Sequence, residues 1–140
     1  MNANNGGGVT GRLYEAGQAA QLARLGHLEE VGLKIKFGAP TIKVDIDAFA
    51  TTETGVRRAT EYKSGSVTVD DELQLEKQVK FVVDQAGPRR LDRSLEWRIG
   101  GTVDQSFATR AEQLANEYGI EIRLLDSSGQ VIPPSSYVPR

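Results

Sequence analysis

The chain has 140 residues, 39% of them hydrophobic and 26% charged, with a formal net charge of −2. That length suits one domain around one core, and the acidic balance removes any argument for nucleic-acid binding from bulk charge, leaving only local clusters to supply it. There is no cysteine and a single histidine, His27, which excludes disulfides, thiolate metal sites and a cysteine nucleophile, and leaves zinc hydrolases of the two- or three-histidine kind without ligands.

Residues 1–11 are polar and glycine-rich, the composition of a linker, and suggest a junction to an upstream region. They show neither the basic start nor the apolar stretch of a signal peptide, and no apolar run in the chain approaches the roughly 20 residues of a bilayer span. The expectation is a protein acting inside a cell, or a piece of a longer protein that carries the address elsewhere.

Residues 13–31 read as helix, with Leu13, Ala16, Ala20, Ala23 and Leu28 recurring at helical spacing and Gly26 dividing or ending it. Glu15 lies early in that helix, where a carboxylate suits the N-terminal dipole. Residues 33–38 alternate as a strand with Leu33, Ile35 and Phe37 inward, and Ala39-Pro40 interrupts. Residues 41–49 alternate again, Ile42, Val44, Ile46 and Ala48 on one face and Lys43, Asp45, Asp47 and Phe49 on the other. A turn over 51–55 leads to a third strand over 56–63, and such short connections predict an antiparallel meander.

Residues 69–85 follow as a helix with acidic residues in its first turn. Leu73, Lys77, Phe81, Val82 and Val83 give it an apolar side, while Gln74 and Gln78 stack on one face. Gly87-Pro88 stops it. Residues 95–99 form a strand expected to lie parallel to a neighbour after a crossover. Residues 104–118 form a helix with Phe107, Ala111, Leu114 and Ala115 toward the core and Gly119 as its cap. Residues 120–125 are the last strand, and the proline-bearing tail from 127 is irregular. The product is α/β, a mixed sheet with helices on both faces: a linker over 1–11, a domain over 12–126 and a tail over 127–140.

Chemistry concentrates in residues 45–63. Asp45 and Asp47 share one strand face, and Glu61 and Lys63 share another. Paired as a hairpin, these strands bring carboxylates and a lysine to one side of the sheet. Two carboxylates can hold Mg²⁺ or Mn²⁺, which acidifies a bound water and withdraws charge from a phosphate. A lysine beside them can orient the nucleophile or stabilise developing charge. Glu-x-Lys by itself is a common tripeptide whose ordinary meaning is a pair of surface charges; the upstream aspartate, the downstream glutamines and the preceding Glu15 give it context. Elsewhere, His27 reads as a solvated or capping residue, Trp97 as core rather than a base-stacking platform, and Arg89, Arg90, Arg93 and Arg98 as either a solvated run or a phosphate-tracking one. On the strand of Glu61, only one of Arg57 and Arg58 can face the same groove.

With these residues in place the chain resembles the PD-(D/E)xK, or restriction endonuclease-like, nuclease superfamily, over roughly residues 13–125. The resemblance implies an αβββαβ core with an extra C-terminal helix and strand. It matches the family's aspartate to Asp47, with Asp45 an open alternative and no proline before either, and the family's Glu-x-Lys to Glu61-Tyr62-Lys63. It matches the glutamate of the first helix to Glu15, and the glutamine of the following helix to Gln78 or Gln74. The implied activity is phosphodiester hydrolysis with Mg²⁺ (or Mn²⁺) on Asp47 and Glu61, Lys63 positioning the water, Gln78 orienting nucleotide or the metal shell, and Glu15 supporting the metal side. DNA is favoured over RNA as substrate. The small size, the glycine-rich entry and Glu-Tyr-Lys-Ser-Gly also resemble the C-terminal nuclease domains of bacterial polymorphic toxins. That implies delivery as part of a larger secreted protein, action in the cytoplasm of a target bacterium and a cognate immunity protein. The rival readings are a non-catalytic binding module on the same fold and a housekeeping repair or junction nuclease.

Overall fold

A computed structural model describes residues 28–37, 42–52, 55–87 and 91–139. The expected first helix, Glu15 and His27 lie outside the described residues, as do Arg89 and Arg90. Five strands are found: β1 (Leu28–Phe37), β2 (Ile42–Thr51), β3 (Arg57–Lys63), β4 (Leu91–Ile99) and β5 (Glu121–Leu125). They form one sheet in the order β1-β2-β3-β4-β5, antiparallel from β1 to β3 and parallel from β3 to β5. Helix α1 (Glu72–Gln85) connects β3 to β4 and α2 (Gln105–Tyr118) connects β4 to β5. The chain is therefore α/β with a mixed sheet, as the alternating patterns predict. The two described helices touch each other and so share one side of the sheet.

Three expectations are corrected. Residues 28–31 are strand, not the end of a helix: Leu28 pairs with Ala50 and Val31 with Ala48, around a bulge. The ladder with a central strand outweighs local helical spacing there. Strand β4 begins at Leu91 rather than residue 95. Leu73 is 63% exposed, because the buried stripe of α1 runs through Leu75, Gln78, Val79, Phe81 and Val82 instead.

Gly55 closes the β2–β3 turn, its N–H bonded back to the Thr52 carbonyl, at a φ of 81° that side chains rarely tolerate. Both faces of β2 are buried from Ile46 through Ala50. On the helix side, Phe49 and Phe37 both pack on Phe81 of α1, at centroid distances of 6.3 and 5.4 Å. Leu95, Trp97, Ile99 and Phe107 continue this core toward α2. A 3₁₀ turn, Val69–Asp71, leads into α1 through a capping box of Thr68 and Asp71. Gly119 ends α2 in the left-handed conformation, as expected of that position. The tail docks rather than trails: Val138 bonds to Val103 and Gln105, and Ile132 is buried. No described helix is long and apolar enough to cross a membrane.

Candidate active site

The ladder between β2 and β3 runs from Thr51↔Arg57 to Ala48↔Thr60 and stops there, although both strands continue. One residue further lie Asp47 on β2 and Glu61 on β3. Backbone groups released by the parted ladder must find partners when buried, and here side chains of the site supply them. Asp47 Oδ2 accepts the N–H of Tyr62 at 2.9 Å. The carbonyl of Asp45 accepts the side-chain amides of Gln74 and Gln78, each at 3.0 Å. The two glutamines that share a helical face thus converge on one acceptor, and they tie α1 to the parting point.

Gln78 also donates from Nε2 to Glu61 Oε1 at 2.8 Å, and its Oε1 accepts from Trp97 Nε1 at 2.8 Å. Exposure is 6% for Asp47, 1% for Glu61 and 0% for Gln78. Glu61 is therefore not half of the solvated surface pair with Lys63 that Glu-x-Lys alone would suggest. Among the described residues no group of three His, Asp or Glu side chains is placed to hold an ion. Asp47 and Glu61 are the two carboxylates here that could hold a divalent ion, with water oxygens completing its shell, a common way for Mg²⁺ to bind.

Lys63 pairs through Nζ with Asp71 Oδ1 at 3.3 Å, both side chains 13% exposed. The other oxygen of Asp71 accepts the N–H of Thr68 at 2.8 Å, closing the capping box. Asp71 therefore joins Lys63 to the start of α1. Its part was missed in the sequence, where it reads as a first-turn acid, although Thr68-x-x-Asp71 is a legible capping box.

The basic residues divide as strand alternation demands. Arg57 lies over the Phe49 ring, 5.1 Å from its centroid. Arg58 turns to the opposite face, donating to Ser94 Oγ at 2.6 Å and pairing with Asp92 and Glu96. Arg98 and Arg123 also pair with Glu96, at 3.0 and 3.6 Å. Arg93 donates to the carbonyls of Tyr118 and Gly119 at the end of α2. Of the run considered from the sequence, Arg98 is buried and paired with Glu96, while Arg93 is exposed and caps the end of α2. Trp97 is core, 1% exposed, as expected, with its indole N–H committed to Gln78.

No family model and no curated protein matches the chain. Among solved structures, a repair endonuclease from Pyrococcus abyssi aligns at 15% identity and a TM-score of 0.44, over 83% of this chain and 47% of that one. EndoMS in its apo form aligns at 18% identity and a TM-score of 0.37, over 77% of this chain and 46% of that one. The chain thus spans about half the length of the solved structures it matches.

Proposed function

We propose that this chain is a divalent-metal-dependent nuclease that hydrolyses phosphodiester bonds of nucleic acid, DNA in preference to RNA. One observation carries the reading: where β2 and β3 part, Asp47 and Glu61 are buried beside each other's strand, Gln78 grips Glu61 at 2.8 Å, and Lys63 follows two residues on. Asp47 and Glu61 would hold Mg²⁺ or Mn²⁺. When bound, that ion lowers the pKa of a coordinated water and draws charge from the scissile phosphate. Lys63, whose Nζ lies 3.3 Å from Asp71 Oδ1, would direct an N–H toward the attacking oxygen or the phosphate. Gln78 holds Glu61 in place, and Glu15 would support the ion from the segment before β1.

The test is cleavage of supercoiled plasmid and of single-stranded RNA with Mg²⁺, by the wild type and by Lys63→Ala. Loss of about 10²-fold or more in the variant is expected for a group that stabilises developing charge. Equal rates would remove Lys63 from the chemistry.

The biological setting proposed is a toxic effector domain, delivered as part of a larger secreted protein into the cytoplasm of a target bacterium and blocked by a cognate immunity protein. It rests on the glycine-rich entry before a small nuclease core and on Glu61-Tyr62-Lys63-Ser64-Gly65. Expression in bacteria without a partner separates it from the housekeeping repair reading. Arrested growth supports the effector, and normal growth with soluble protein supports repair.

A further inference from the structure

The hydrogen bonds meeting at Gln78 have one consistent direction. An indole N–H can only donate, so Trp97 Nε1 gives to Gln78 Oε1 at 2.8 Å. That contact turns the amide so that its Nε2 faces Glu61 Oε1 at 2.8 Å and the Asp45 carbonyl at 3.0 Å. A reversed amide would set an N–H₂ against the indole N–H, and an oxygen against both a carboxylate and a carbonyl. Trp97 and Glu61 are register partners on adjacent strands. The ring also packs on Phe107 of α2, centroids 5.0 Å apart. Trp97, Gln78 and Glu61 are each at most 1% exposed, so bulk water cannot replace these contacts.

We propose that Trp97 is a positioning residue of the site: its indole N–H locks the Gln78 amide in one orientation, and that amide holds Glu61 for the divalent ion. The inference rests on the reading of Asp47 and Glu61 as the ion site, and it adds a residue that has no contact with ion or substrate.

The chain has one tryptophan, so its indole N–H gives a single resonance in a ¹⁵N–¹H spectrum. In the wild type, titration with Mg²⁺ is expected to displace that resonance saturably. Gln78→Met keeps the indole and breaks the relay, and its resonance is expected not to follow Mg²⁺. Trp97→Phe keeps an aromatic ring against Phe107 without the donor. It is expected to weaken Mn²⁺ binding, measured by calorimetry, by about tenfold, the lower end for groups that orient a metal ligand. The double variant should be no weaker than Gln78→Met, because both changes break one chain of contacts.

Undiminished Mn²⁺ binding by folded Trp97→Phe, or losses that add in the double variant, would overturn the role of Trp97 while leaving the ion site standing. Absence of Mn²⁺ binding in the wild type would overturn both together. Should Trp97→Phe not fold, a Gln78→Met resonance that still follows Mg²⁺ would overturn the proposal.

Discussion

Lys63 is held at one end by β3 and at the other by an ion pair to Asp71, so the placement of its ammonium depends on a residue eight positions downstream. Asp71→Asn separates the two duties of that side chain. The amide oxygen can still accept from Thr68 N–H and preserve the cap, while the N–H₂ then turned to Lys63 cannot pair with it. The expected result is a fall in cleavage of about tenfold, or about 1.4 kcal/mol of barrier. Stability in denaturant unfolding should fall by more than the roughly 1 kcal/mol of a surface pair, since both side chains are only 13% exposed. Strand alternation alone put Asp47 on the face of Phe49, and that face proves to be the one α1 covers. The same rule could not find Glu96, whose partners Arg58, Arg98 and Arg123 come from three strands. That cluster exists only once the sheet order is known.

Elements were legible where local pattern and tertiary demand agree. The three-strand meander and α2 with its Gly119 cap follow from period and punctuation. Residues 28–31 were not legible, because a helical spacing of apolar residues was overruled by pairing with β2. Leu73 misled because α1 begins after a 3₁₀ turn, which resets the phase of the buried stripe. The turn after β4 shows a tighter constraint than its Gly-Gly sequence suggests. Gly100 N–H bonds to the Lys63 carbonyl at 2.7 Å, and Gly101 N–H to that of Gly65 at 3.1 Å. A Cβ on Gly101 would fall 2.6 Å from the backbone of both Gly65 and Ser66. Gly101→Ala must therefore move the strand end that carries Lys63. It should cost about 1–3 kcal/mol, the range of overpacked sites, in a denaturant titration, and cleavage should fall with it.

Across the fold as a whole, the sheet brings together residues that lie 29 and 33 positions apart in the sequence, as α1 reaches back from Gln74 and Gln78 to Asp45. The C-terminal tail, irregular in sequence, docks at the start of α2 through Val138 and buries Ile132. Truncation after Asp126 should lower stability by at least about 2 kcal/mol, the contribution of one buried isoleucine, seen in thermal unfolding followed by Trp97 fluorescence. In the proposed function, the parting of β2 and β3 builds a site for one divalent ion, with Asp47 rather than Asp45 as its ligand. Asp47 is 6% exposed next to the Tyr62 amide, whereas the contacts of Asp45 with α1 run through its backbone carbonyl. The direct measurement is calorimetric titration of Mn²⁺ into the wild type, Asp47→Asn and Asp45→Asn. One ion per wild-type chain is expected, kept in Asp45→Asn and lost in Asp47→Asn. No binding by the folded wild type, or loss in Asp45→Asn with retention in Asp47→Asn, would contradict it.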